Sequence, residues 1–139
     1  MRGAGIPAGM QVDHPVSTLD LGSTILDLAG APALAAMHGR SLIPLLSGAS
    51  RDFAYSEWDV DAARCGVELK LRTVRTRDAK LTLEESSGAG ELYDLKNDPF
   101  EMVNRFDDAG FRQCRAELLD MIRSRPDDAK PRAAASGVA

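Results

Sequence analysis

Apolar residues recur along this chain at two spacings, and the change from one to the other divides it. In "QVDHPVSTLD" the side chains of Val12, His14, Val16 and Thr18 alternate, which predicts a short strand with Pro15 at its edge or start. Asp20 then stands as an N-cap. Leu21, Ile25, Leu28 and Ala29 follow at helical spacing and Gly30 offers a left-handed stop, so a helix is expected over 20–29. Ser41 can cap a single helical turn in "LIPLL", giving a turn over 41–46 that "SGASRD" breaks.

From Phe53 the period drops to two. "FAYSEW" sets Phe53 and Tyr55 against Ser56 and Trp58, and "VELKLRTVRT" sets Val67, Leu69, Leu71 and Thr73 against Glu68, Lys70 and Arg72. "AKLTLEE" carries Leu81 and Leu83 on one side, and "ELYDL" opposes Leu92 to Glu91 and Tyr93. The connectors Arg77-Asp78 and Ser86 to Gly90 are short enough for hairpins, so about four antiparallel strands are expected, apolar on one face and wet on the other. Phe111, Cys114, Leu118, Met121 and Ile122 return to helical spacing behind Asp107 and Asp108, which predicts an amphipathic helix over 108–123 covering the sheet. The expected class is α/β in the broad sense (α+β): a strand-helix unit, then an antiparallel sheet under a C-terminal helix. The first eleven residues read as an irregular lead-in and 126–139 as a disordered tail.

Composition narrows the partners. A formal net charge of −4 over 139 residues, with scattered Lys and Arg, gives no electrostatic footprint for nucleic acid or an anionic membrane. No run of about 18 apolar residues is present, so no membrane span is expected. "MRGAGIPAGMQ" lacks the apolar core of a signal peptide, which favours a reducing, cytoplasmic setting. Cys65 and Cys114 lie far apart without CxxC spacing; they read as structural or incidental thiols rather than zinc ligands, with a disulfide between them left open.

The stretch "GELYDLKNDPFEMVN" collects Glu91, Asp94, Asp98 and Glu101 around a turn. It reads as a cation site, a carboxylate pair for catalysis, or a joint between sheet and helix. Glu57 can pair with Arg72 or Arg75 if their strands are neighbours; an adjacent guanidinium opposes the raised pKa that a general acid needs, so the pair reads as structural. His14, Trp58 and Arg75 are the candidates for a substrate pocket, although Trp58 reads first as a packing anchor. His38 is a loop residue.

Beyond periodicity, "VDHPVSTLDLGSTILDLAGAPALAAMHGRSLIPLLSG", "RDFAYSEWD" and "LRTVRTRDAKLTLEESSGAGELYDLKNDPFEMVN" together resemble the sulfatase family. They match its strand ending in Asp, its "TLLDLAG" helix, its "GxSLxPLL" turn, its "R-x-x-x-x-SE" strand and its "ELYDLxxDPxExxN" close, in order, across about Arg2 to Ile122. The resemblance implies sulfatase-like hydrolases of the alkaline phosphatase superfamily, the arylsulfatase, choline sulfatase and phosphonate monoester hydrolase type. In these a formylglycine nucleophile and one divalent, calcium-like cation sit in a large N-terminal α/β domain. Residues 1–50 would then be the end of that large domain and 51–125 the small C-terminal domain. Ser47 to Arg51, "SGASR", formally fits the S-x-A-x-R motif that generates formylglycine, but it falls after the "TLLDLAG" helix and reads as a loop.

The expected function is therefore the C-terminal portion of a sulfatase-like hydrolase acting on a sulfuric ester, inactive alone for want of nucleophile and metal ligands, with no catalytic residue of its own. Its expected partners are the N-terminal catalytic domain and, through apolar surface on Val12 to Ala29, further copies of itself. The alternative is a self-standing binding or scaffolding module derived from a sulfatase. A small calcium-binding domain built on Asp94, Asp98 and Glu101 is a third reading, less favoured because the family pattern accounts for those residues without a cation; the acidic cluster is better read as a turn that joins sheet to helix.

Overall fold

The computed structural model describes residues 3, 6–34 and 37–125, with residue 65 described by its backbone only. Four strands, β1 (Ala54–Val60), β2 (Leu69–Arg75), β3 (Ala79–Glu84) and β4 (Gly90–Asp94), form one antiparallel sheet in chain order. Side chains close the hairpins. The Thr76 hydroxyl accepts from the Asp78 and Ala79 N–H groups at 3.3 and 3.0 Å, and the Glu84 carboxylate accepts from the Ser86 and Ser87 N–H groups at 3.2 and 2.6 Å. These Ser87 hydrogen bonds, side chain and backbone, bring Glu84 down to about 2.

The register pairs Tyr55 with Val74, Val74 with Leu81 and Leu81 with Leu92, which places all four on one face. Helix α4 (Arg112–Arg123), numbered after α1 (Leu19–Leu28), α2 (Ile43–Leu46) and α3 (Ala62–Cys65), covers that face. Leu118 and Ile122 pack with Val74, Leu81 and Leu92 into the main core, and Phe53, Tyr55, Phe111, Cys114 and Met121 line its edge. Full burial of each such side chain stabilises by about 1.5–3 kcal/mol. Asp108 caps the 3-10 turn Ala109–Phe111 that leads into α4, accepting from the Gly110 N–H at 2.8 Å. Cys114 is a free thiol, its pKa pushed up by burial.

The "GELYDLKNDPFEMVN" stretch is a joint. The Asp94 carboxylate accepts from the Lys96 and Asn97 N–H groups, Asp98 accepts from the Val103 N–H at 2.9 Å, and Glu101 pairs with Lys80. Glu101 holds a left-handed φ of 57°, uncommon for a residue with a Cβ, and its ion pair anchors it there. Asn104 Oδ1 accepts from the Leu92 N–H at 3.0 Å, its amide donates to the Gly90 carbonyl at 3.1 Å, and the Arg105 N–H donates to the Leu92 carbonyl at 2.7 Å. The outer edge of β4 is thereby capped by a surrogate strand. Gly90 is required here, because a Cβ on it would run into the Phe106 ring.

Four expectations change. Residues 12–18 pair with no strand among the described residues: a lone extended segment has no ladder partner, and Pro15 lacks an N–H to offer one. Asp20 lies within α1 rather than ahead of it; its carboxylate reaches back to the Ser17 N–H at 2.7 Å while Ser17 Oγ accepts from the Leu19 N–H at 3.3 Å, a reciprocal capping arrangement. On β2 the helix-covered face carries Arg72 and Val74, not Leu69, Leu71 and Thr73, because the register aligns Val74 with Tyr55 and Leu81. Trp58 anchors no core; it is 66% exposed on the opposite face. The tail reading for 126–139 and any role for the Cys65 thiol lie outside the described residues.

Candidate functional site

Helix α1 packs in an unusual sense. Asp20, Ser23 and Thr24 are buried, whereas Leu21, Ile25 and Leu28 are exposed, Ile25 by 66%. The buried polar groups are all satisfied. Thr24 Oγ1 donates to the Asp20 carbonyl at 2.6 Å and accepts from the Leu42 N–H at 3.0 Å, and Ser23 Oγ donates to the Gly39 carbonyl at 2.6 Å. Gly39 must be a glycine, since a Cβ there would strike the Leu19 carbonyl.

Asp20 is the hub of this packing. Besides Ser17 it accepts from the Arg40 N–H at 2.9 Å and from the Arg51 guanidinium, and the side chains of this ion pair are only 4% and 7% exposed. Burial pushes the Asp20 carboxyl up, but its two backbone donors and Arg51 outweigh that and hold it below the usual carboxylate range. The Arg51 backbone N–H in turn donates to His14 Nδ1 at 3.4 Å.

A second ionic cluster lies on the helix-covered face of the sheet. Glu57 accepts from the Tyr55 hydroxyl at 2.6 Å and stands 3.2 Å from Arg125 Nε and 3.7 Å from Arg72 Nε. Arg72, 4% exposed, also meets Asp59 at 2.5 Å and Glu85 at 3.2 Å, and Arg125 meets Glu85 at 2.9 Å. Burial, then the hydrogen bond to Glu57, pushes the Tyr55 phenol well up and keeps it protonated. A guanidinium so deep is tolerated because three carboxylates surround it.

Between the two clusters runs a cleft of about 470 Å³. It is lined by the run Phe53 to Glu57, the start of α1, the loop His38–Arg40, Arg51 and Arg125. Of the residues singled out from sequence, only Glu57 and His38 line it. His14 sits behind Arg51, while Arg75 and Trp58 are on the far face of the sheet, Arg75 lying 3.7 Å from Glu101. Asp20, Arg40, Arg51, Tyr55 and Arg125 were not anticipated as site residues. The S-x-x-D spacing from Ser17 to Asp20 signals the capping contact, but nothing local signals the partnership with Arg51.

The donor set for a sulfatase cation does not fit these residues. Among the described residues no group of three or more His, Cys, Asp or Glu could hold a metal ion. Asp94, Asp98 and Glu101 are occupied with backbone N–H groups and Lys80. Ser47 is exposed at the end of α2, and the arginine of its formal motif, Arg51, is engaged with Asp20.

Residues 3–127 match the family described as N-sulphoglucosamine sulphohydrolase, C-terminal. Human arylsulfatase K is 34% identical over 75% of the chain, and the Delta 4,5-hexuronate-2-O-sulfatase of Bacteroides thetaiotaomicron is 37% identical over 87%. The chain spans 21% and 28% of the length of these two relatives. Among solved structures, a 2-O GAG sulfatase superposes with a TM-score of 0.74 at 34% identity, covering 87% of this chain and 27% of that one. A phosphonate monoester hydrolase from Silicibacter pomeroyi superposes with a TM-score of 0.71 at 25% identity, covering 88% and 27%. The fold of the chain is thus shared with these enzymes, and the chain belongs to the N-sulphoglucosamine sulphohydrolase C-terminal family, matching a C-terminal portion of sulfatase-like hydrolases.

Proposed function

We propose that this chain serves a sulfatase-like hydrolase as a docking and cleft-forming portion, and that it does not hydrolyse esters by itself. The observation that carries this reading is the inverted packing of α1, whose apolar residues Leu21, Ile25 and Leu28 face outward from a polar, fully bonded underside. A helix of that kind requires cover from another apolar surface. Curated relatives several times longer than this match supply a reason to expect one; the sulfatase resemblance implies that it is a large α/β domain, where the formylglycine and the divalent cation would lie. The substrate class in such an assembly is a sulfate ester, with a sulfated uronate sugar favoured by the hexuronate-2-O-sulfatase relative.

In this reading the Glu57–Arg72–Arg125 cluster serves structure and not proton transfer, since neighbouring guanidiniums favour the ionised form of a carboxylate. The test is an assay of the purified chain on 4-nitrophenyl sulfate with and without calcium. No turnover is expected under either condition; turnover that a chelator abolishes would overturn the proposal. A self-standing binding module would instead show no association through its exposed α1.

A further inference from the structure

Helix α4 covers one face of the sheet and leaves the other open, where Ser56, Trp58 and Arg75 are all exposed. The register sets Trp58 beside Leu71 and Val60 beside Leu69, so these four side chains form an apolar patch at one end of the open face. A second apolar patch stands at the other end. There Glu101 reaches over the face to Lys80 and Arg75, and the residues that flank it, Phe100 and Met102, are 83% and 78% exposed. The loop carrying them is tied down by the Val103 N–H donating to Asp98 and by the Glu101 ion pair, so seating it against a partner costs little further ordering. Leu71 and Arg75 mark the two ends on β2, four residues or about 14 Å apart at 3.4 Å per residue.

The strip between the patches is polar but already partnered. The Thr73 and Thr82 hydroxyls bond each other at 3.0 Å, and Arg75 and Lys80 share Glu101. Glu91, opposite Thr82, brings a second carboxylate to the same face, so a cover over this strip orphans none of these groups and needs no charge of its own.

Two apolar ends about a neutral, satisfied middle make the face complementary to itself. A two-fold axis between two copies, running across the line that joins the patches, sets Trp58 of each copy against Phe100 and Met102 of the other. A whole aromatic side chain covers about 150–250 Å², so Trp58 and Phe100 supply roughly 300 Å² per copy. Met102, Leu71 and their apolar neighbours carry the total past about 500 Å² per copy, the size a specific interface has to reach.

We propose that the open face of the sheet is a homodimer interface, in which two copies of this chain pair face to face with Trp58 seated on the partner's Phe100 and Met102. Helix α1 contributes to neither patch, so this pairing is separate from the docking role assigned to α1.

The test is sedimentation of the full chain over a range of concentrations, with the emission of Trp58, the only tryptophan, followed on dilution. Expected are a dimer and a shift of the emission to longer wavelength as dilution returns the ring to water. Trp58→Lys and, separately, Phe100→Asp should each weaken dimerisation at least tenfold while the amide spectrum of the sheet stays unchanged, which separates lost pairing from lost folding. Mixing the two variants should restore the dimer, because the two-fold places the new lysine against the new aspartate at one contact and leaves the native pair at the other. A chain that is monomeric at every concentration, its open face kept for another domain, would overturn the proposal. So would emission that does not shift on dissociation, a dimer that survives both substitutions, or a mixture of the variants that stays monomeric. Leu21→Ser with Ile25→Ser should leave the dimer intact; its loss there would assign the pairing to α1 and overturn the proposal, so failure here is distinguishable from failure of the docking role.

Discussion

The α1 region and the sheet region place their side chains in opposite senses. In the sheet region apolar residues converge, and Val74, Leu81 and Leu92 are wholly buried beneath α4. In the α1 region polar residues converge, and Asp20 and Thr24 are buried while Ile25 faces out. The first is driven by removal of apolar area from water. The second is held by directed hydrogen bonds and one buried ion pair, each of which counts for little unless every partner is present. A fold packed in one half and open in the other is what the docking role proposed above requires.

This contrast can be broken experimentally. The largest effect is expected from Arg51→Ala, which leaves Asp20 buried without its cation at a cost of about 3–5 kcal/mol. Amide exchange should show loss of protection in residues 17–28 and 38–42, with β2 to β4 still protected; equal loss in both would mean that the two regions unfold as one unit. Leu92→Ala should destabilise by about 2–5 kcal/mol through the cavity it leaves, read as a lower denaturant midpoint for the sheet. Asn104→Ala removes the acceptor for the Leu92 N–H and should cost about 1–3 kcal/mol, with fast exchange appearing first in β4.

Acid should sharpen the contrast. The folded pKa of Asp20 lies below its ordinary value, so its contribution is fully present above about pH 4 and is lost as the pH falls through the lower folded value. Protection in α1 is expected to fall over that range, and Asp20→Asn should remove the dependence. Glu84, whose folded value is about 2, should loosen the β3–β4 hairpin only at the acid end of the same titration. The smallest effect on stability is expected from Leu21→Ser with Ile25→Ser, within about 0.5 kcal/mol per site because both are exposed. The same pair should suppress any concentration-dependent association beyond the dimer seen by sedimentation; persistence of larger species would locate the second sticky surface elsewhere.

Much of the fold was legible in the chain. The spacing of Phe111, Cys114, Leu118 and Ile122 located the covering helix, and the period-two runs located all four strands, because those elements bury one side and the pattern records which. The phase of β2 was not legible. Leu69 and Leu71 advertise one face and Val74 the other, and the choice depends on register with β1 and β3. Nor was the cleft legible, since Asp20 and Arg51 are 31 residues apart and each looks locally like a cap or a loop residue.

By itself, then, the sequence determined the meander, the covering helix, the family resemblance and the joint in "GELYDLKNDPFEMVN", where short-range carboxylates take nearby backbone N–H groups whatever surrounds them. Only the tertiary structure decided which face of β2 is buried, which guanidinium meets which carboxylate, and that one sheet edge is capped while the other borders a cleft. Local propensity and spacing act over one or two turns of chain, whereas a buried arginine is stable only where distant carboxylates have already been gathered around it.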